Sequence, residues 1–293
     1  MSSAFNEKHV GMKIGADFIL LLVVSVPIML FYGVLTPYNR GYFCNDDSIR
    51  YPYKESTISD RMLYTIGTSV GVIVIALTES LRNSENDDYD NWLIHRWKIP
   101  NVLRNIYSYC NAFLFGACLT ELTTDILKFT VGRLRPNFID VCGPNFDCNS
   151  TNEKHQYVED YICTGTDYDK IIDGRISFPS GHSSFATYTM LFTAIYLQKR
   201  MACKFSSLFK FSLQYILMLV ALLTSLSRIL DNKHHWSDVL FGFVLGVLIC
   251  LLTVFCLSDL LRKSFLRRKN FGTELDCKAD VEIATHNLGN VKK

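Results

Sequence analysis

The chain has 293 residues, 49% of them apolar, and a mean hydropathy of +0.14, values shared by large soluble domains and by membrane proteins diluted with polar loops. Thirty Lys and Arg against 28 Asp and Glu leave a net charge of +2, which gives no reason to invoke nucleic acid as a partner. The distribution of apolar residues separates the two classes. Runs near 14–35, 62–80, 105–127, 183–198, 211–227 and 237–259 each approach the ~20 residues that a helix needs to cross a ~30 Å hydrocarbon core. The expectation is an all-α polytopic membrane protein with six transmembrane helices. A unit spanning 14–259 then lies between a cytosolic N-terminus, 1–13, and a cytosolic C-terminal tail, 260–293.

In chain order, the first run follows Lys8 and Lys13 as a signal peptide would. It exceeds an ordinary signal core of about 7–15 residues and lacks a small-residue cleavage site, so it is read as a retained anchor, kinked at Pro27. The fourth run, 183–198, is the shortest and needs His182-Ser183-Ser184 and Gln198 to complete a crossing. Lys8, Lys13, Arg82, Arg96, Lys98, Arg104, Lys199, Arg200, Lys204, Lys210 and the basic stretch RKSFLRRKN fall on one side of the six-span arrangement. By the positive-inside tendency that side is cytosolic, with both termini inside. The glycosylation acceptor Asn149-Ser150-Thr151 falls in the loop assigned to the opposite side. Cys142, Cys148 and Cys163 share that loop and Cys44 lies in the other large outer loop; one disulfide is expected among them, with its pairing open. Cys110, Cys118, Cys250 and Cys256 lie in spans and read as small apolar residues.

Three polar clusters flank these runs: Lys128 with Arg135-Pro136, then Pro179-Ser180-Gly181-His182, then Ser227-Arg228 with His234 and Asp238. With the N-terminus inside, the third span ends outside, the fourth begins there, the fifth ends there and the sixth begins there. All three clusters therefore share one membrane face. Lys128 and Arg135, seven apart, stand about two turns apart on nearly one helical face, and Pro136 ends the helix near Arg135. Arg135 offers a planar fork to phosphate oxygens and Lys128 a point charge. Arg133, two positions from Arg135, points elsewhere, as a surface or lipid-headgroup contact. Ser180 is an N-cap candidate, Gly181 lets a ligand approach the backbone, and the helix start suits an anion. His182 stands there as a proton donor to a leaving oxygen.

In the third cluster Arg228 holds phosphate and His234 attacks. If 234–238 is helical, Asp238 pairs with His234 one turn away, fixing the tautomer that leaves the other ring nitrogen nucleophilic. His235 points about a hundred degrees away and reads as non-catalytic. A rival metal site of His182, His234, His235 and Asp238 is disfavoured by the cations Lys128, Arg135 and Arg228, so no metal and no cofactor is expected. Glu121 and Asp125 are charges in or near a span, where charge is costly; Asp125 is placed to orient Lys128, with a protonated packing carboxyl as the alternative.

These residues resemble the three-part signature of the type 2 phosphatidic acid phosphatase superfamily. Lys128-x6-Arg135-Pro136, Pro179-Ser180-Gly181-His182 and Ser227-Arg228-x5-His234-x3-Asp238 match its motifs without a missing position. The six-span layout and the first outer loop, GYFCNDDSIRYPYKESTIS, are similar to its lipid phosphate phosphatase branch. The resemblance implies a helical-bundle core like that of vanadium haloperoxidases and a shared mechanism. In it Lys128, Arg135, Arg228, Ser180 and Gly181 bind phosphate, His234 is phosphorylated, Asp238 supports it and His182 protonates the leaving alcohol. It also implies a lipid phosphate as substrate: phosphatidate, lysophosphatidate, ceramide 1-phosphate or sphingosine 1-phosphate. The site would then face outward at the plasma membrane, or the lumen of an organelle. Oligomers are common in the family, though no residue here points to a homo-oligomer. The rivals are an inactive lipid-phosphate binder and a sister enzyme acting on a polyisoprenyl diphosphate or a sugar phosphate.

Overall fold

The computed structural model describes residues 2–82, 93–94, 97–146, 148, 156–201 and 206–258. The glycosylation candidate Asn149 and the tail 260–293 lie outside these residues. The described chain is built on long helices: α1 Ser2–Gly33, α2 Asp60–Leu81, α3 Asn101–Val131, α6 Gly181–Arg200, α7 Ser207–Leu230 and α8 Trp236–Leu252, the last extended by a π turn at Thr253–Leu257. Short helices α4 (Phe138–Cys142) and α5 (Tyr168–Asp173) lie between α3 and α6. Each of the six predicted runs thus corresponds to a helix, and α1 continues through Pro27.

Helix α6 is the axis of the bundle and packs on α2, α3, α7 and α8. Phe185, Tyr188, Phe192 and Tyr196 along it are buried among Leu63, Ile75, Phe113, Ile249 and Val254. Its close neighbours are glycines. A Cβ at Gly242 would lie 3.1 Å from Ser183 Cβ, and one at Gly246 would lie 2.9 Å from Thr187 Cβ. These two α8 glycines, one turn apart, let the backbones of α6 and α8 approach as small residues do between membrane helices. Ser183 Oγ then donates to Val239 O at 2.8 Å, and Thr124 Oγ and Ser184 Oγ bond at 2.9 Å across α3 and α6.

Among the described residues, four helices are long and apolar enough to cross a membrane: Val10–Gly33, Asp60–Leu81, Leu208–Leu230 and Trp236–Leu257. α3 and α6 have the length, at 31 and 20 residues, but fall short in apolarity. The reason lies in their position. α6 faces helices all round, so Ser, Thr and Tyr serve where a lipid-facing helix would carry aliphatic residues. α1, packed mainly on α3, instead exposes Phe18, Val23 and Met29.

A cap lies over the end of the bundle where α3 stops and α6 starts. Strand β1 (Tyr42–Phe43) pairs antiparallel with β4 (Tyr157–Val158), whereas β2 (Leu93–Ile94) and β3 (Trp97–Lys98) form a separate hairpin. Tyr42, Ile49, Leu134, Phe138 and Val158 form a second small core. Two disulfides fasten it, Cys44–Cys148 and Cys142–Cys163, where the sequence reading expected one.

Candidate active site

Lys128 lies in the last turn of α3, buried, with Nζ 3.6 Å from Asp125 Oδ1. Tyr32 of α1 donates its hydroxyl to Asp125 at 2.8 Å and accepts from Lys128 at 3.3 Å. The expected Asp125–Lys128 pairing is therefore present, with a tyrosine that the sequence did not single out. Glu121, one turn earlier, accepts from Tyr64 OH of α2 at 3.0 Å.

The helix ends earlier than Pro136 suggests. Gly132, at φ 58°, is the left-handed C-cap and donates to Lys128 O at 3.1 Å. Residues 132–137 are not helical, so the argument that Lys128 and Arg135 share a helical face does not hold. Arg135 is instead oriented by its loop: its N–H donates to Gly174 O at 2.8 Å, and its guanidinium grips Asp173 of α5 with both arms, at 2.7 and 2.6 Å. The same early ending corrects the reading of Arg133. Off the helix, its Nη1 turns inward and donates to Asp238 Oδ1 at 2.5 Å and to Ser237 Oγ at 2.9 Å.

Ser180 occupies the N-cap position of α6 but makes no capping bond with its side chain; its Oγ is buried with no partner among the described residues. Its N–H donates to Asp238 O at 3.1 Å, which joins the second cluster to the third. A Cβ at Gly181 would lie 3.1 Å from Lys128 Nζ, so the glycine brings the first cluster against the start of α6. His182 points toward the start of α2: Nε2 bonds Ile58 O at 2.9 Å and Nδ1 lies 3.6 Å from Asp60 Oδ1.

Arg228, 1% exposed, donates to Asp231 Oδ2 at 2.7 Å and to Ser227 Oγ at 3.2 Å. Asp231 also accepts from the N–H and hydroxyl of Thr57, at 2.8 and 2.7 Å, tying the loop before α2 to this site. After Asp231 the chain turns through Asn232 at φ 54°, a conformation asparagine tolerates, and returns His234 N–H toward Arg228 O at 3.3 Å.

His234 is buried, but the hydrogen bond expected with Asp238 is not formed. Its Nδ1 bonds Ser177 O at 2.6 Å. Helix α8 begins only at Trp236 with His235 as N-cap, so His234 and Asp238 are not an i,i+4 helical pair. Asp238 Oδ2 accepts from His235 N–H at 3.1 Å, bonds His235 Nδ1 at 3.1 Å and accepts from Ser177 Oγ at 2.6 Å. His235 thus caps the helix that carries Asp238. Burial, then the charges of Arg135 and Lys128, holds the His234 pKa well below the ordinary imidazole value. The ring is neutral at physiological pH.

Lys233, which the sequence reading passed over, is buried with its ammonium 3.9 Å from the Tyr53 ring centroid, and burial and Arg135 lower its pKa. Ser177, Asp173, Asp231 and Tyr32 were likewise missed. The spacing of Asp231 three residues after Arg228 was the one local signal. Among the described residues no three His, Cys, Asp or Glu side chains are grouped as a metal shell.

The family description "PAP2 superfamily" matches residues 109–262, which contain all three clusters. A Drosophila melanogaster protein named "Putative phosphatidate phosphatase" is 37% identical over 271 residues, covering 88% of this chain and 72% of the relative. "Phospholipid phosphatase 1" of Mus musculus is 40% identical over 258 residues, covering 87% and 89%, and "Phospholipid phosphatase 2" of Homo sapiens is 38% identical over 244 residues, covering 83% and 82%. No solved structure gives a significant match. By the family match and by these relatives, the chain belongs to the PAP2 superfamily.

Proposed function

We propose that the protein is an integral-membrane lipid phosphate phosphatase that hydrolyses phosphatidate, lysophosphatidate, ceramide 1-phosphate or sphingosine 1-phosphate without a metal, through a phosphohistidine. The observation that carries this reading is His234: buried, neutral, with one ring nitrogen bonded to a carbonyl and under the influence of the charges of Lys128 and Arg135. A carbonyl only accepts, so Nδ1 bears the proton and Nε2 keeps the lone pair. Nε2 attacks phosphorus as the ester P–O bond breaks, and His182 gives the leaving oxygen a proton to yield the lipid alcohol. A water then gives its proton back to His182 and attacks the phosphohistidine, releasing inorganic phosphate. Lys128, Arg135 and Arg228 neutralise the transferring phosphoryl group, with Ser180 Oγ and the amides at the start of α6 as further donors. Asp173 and Asp231 occupy part of each guanidinium, and five N–H donors per arginine leave some for phosphate.

The lipid assignment rests on position and on kinship. The cluster lies at the ends of apolar helices, the depth at which a membrane-anchored phosphate sits. The names of the relatives point to the same substrate class. Six helices cross the bilayer in this reading, within a catalytic unit of residues 14–259, and α3 and α6 are sheltered by the others. Lys13, Arg104, Arg200 and Lys210 stand at the opposite end, so the site faces away from the cytosol, with the plasma membrane as the expected location and Asn149 on the same side.

The test is phosphate release by purified protein from a panel of lipid monophosphates, a polyisoprenyl diphosphate and a soluble phosphate ester, with excess chelator. Lipid monophosphates are expected to turn over fastest and to be indifferent to chelator. Loss of activity that a metal restores, or preference for the diphosphate, contradicts the reading.

A further inference from the structure

Asp238 is buried and heavily bonded, yet none of its hydrogen bonds reaches His234. What joins the two is Ser177, itself fully buried. Its hydroxyl donates to Asp238 Oδ2 at 2.6 Å, its carbonyl accepts from His234 Nδ1 at 2.6 Å, and its N–H donates to Arg133 O at 2.9 Å. Arg133 returns to the same carboxylate through Nη1, on the other oxygen. One serine therefore links carboxylate to imidazole through two of its own groups, and one arginine holds both the serine backbone and the carboxylate.

We propose that Ser177 and Arg133 are positioning residues for His234, and that Asp238 acts on the imidazole through Ser177 and not by direct contact. This rests on the reading of His234 as the nucleophile. The physical logic is geometric. The serine carbonyl can serve His234 only if the segment before Pro179 is held in register, and the Ser177 hydroxyl bond to a buried carboxylate holds it. A charge-assisted bond is stronger than one between neutral partners, so the carboxylate is an effective anchor. Arg133 pairs with the carboxylate oxygen that Ser177 leaves free and so fixes its orientation, since a buried charge is held in place only by a partner. When Nε2 bonds phosphorus the ring becomes cationic and its Nδ1–H a stronger donor. The carbonyl bond then strengthens where the reaction needs it, with the Asp238 charge behind it.

The chain Arg133–Asp238–Ser177–His234 makes a prediction that direct Asp–His contact does not. In full-length protein in mixed micelles, Ser177→Ala keeps the carbonyl but cuts the carboxylate from it. Single-turnover phosphorylation of His234 should slow roughly 10- to 100-fold, the value of one hydrogen bond to a charged group, with KM unchanged. Asp238→Asn should slow the same step, and the double variant Ser177→Ala/Asp238→Asn should be no slower than the slower single, since both break one link. Arg133→Gln approaches the carboxylate from a side chain 35% exposed, which keeps the test open if Ser177→Ala fails to fold. It should slow phosphorylation without raising KM and should add nothing in the Asp238→Asn background. Ser177→Ala and Arg133→Gln at the wild-type rate, or losses that multiply in the double variants, overturn the relay. Phosphate release by His234→Ala would instead sink the nucleophile reading beneath it, so the two failures are told apart.

Discussion

The bundle buries charge at both ends, and the ends differ in how completely that charge is satisfied. At the end where α2 and α6 stop, Glu79 is fully buried and both its oxygens are in use. Oε1 accepts from Tyr196 OH and Arg200 Nε, each at 2.7 Å, while Oε2 accepts from Arg200 Nη2 at 2.7 Å and Asn105 Nδ2 at 3.1 Å. At the end where α3 stops and α6 starts, Arg135 Nε, Ser180 Oγ, Asp125 Oδ2, Glu121 Oε1 and His235 Nε2 are buried with no partner among the described residues. A closed network of this kind clamps helices; an open one, whose groups cost about 1–3 kcal/mol each to leave unpaired, keeps bonding capacity for something else. The open end carries the three sequence clusters, which is why it is read as the site and the Glu79 end as a fastening.

Substitutions at the two ends should separate stability from turnover. The largest effect is expected for Glu79→Ala, which removes the buried carboxylate that Tyr196, Arg200 and Asn105 share. It should cost about 3–5 kcal/mol in the unfolding of the detergent-solubilised protein, while turnover per folded molecule stays near wild type. A variant that unfolds normally but turns over slowly would erase the division of labour. Arg135→Gln should do the reverse. Its partner Asp173 is 45% exposed and can turn to solvent, so stability should change little while kcat falls about 100- to 1,000-fold. Tyr32→Phe removes a bond from both Asp125 and Lys128 and should weaken substrate binding by about tenfold or less, seen in KM more than kcat.

The smallest effect is the placement of the pH profile. With its pKa depressed, His234 remains neutral as pH falls through the ordinary imidazole range, so the acid limb that His234 sets in kcat/KM should lie below about pH 6.5. The unfolded chain takes up that proton near pH 6.5 and the folded chain does not, so the stability contribution of His234 is complete above this pH. It is lost as pH falls toward the folded value, and unfolding midpoints across pH would show it. An acid limb well above pH 6.5 would mean that burial and the neighbouring cations do not govern the group.

The features legible in the sequence were those written in contiguous residues. Apolar runs located the helices, and motif spacing marked Lys128, Arg135, Ser180, His182, Arg228, His234 and Asp238 as candidates. What the sequence did not disclose depends on where helices stop. Gly132 ends α3 three residues before Arg135, which frees Arg133 to turn inward. Helix α8 starts at Trp236, two residues after His234 and with His235 as its N-cap, which removes the helical geometry that would have paired His234 with Asp238. Ser177 bonds His234 across 57 residues, a distance at which spacing carries no signal. The polarity of α6 explains why its run was the shortest of the six: hydropathy measures fitness for lipid, and α6 packs on α2, α3, α7 and α8.

The central claim is that His234 receives the phosphoryl group. A rapid-quench experiment with a lipid monophosphate labelled on phosphorus, followed by alkaline digestion conditions that preserve phosphohistidine and mapping of the labelled peptide, tests it directly. The account predicts acid-labile label on His234 that forms and decays at rates compatible with turnover, and none in His234→Asn. Label on another residue, or phosphate release undiminished in His234→Asn, would contradict it.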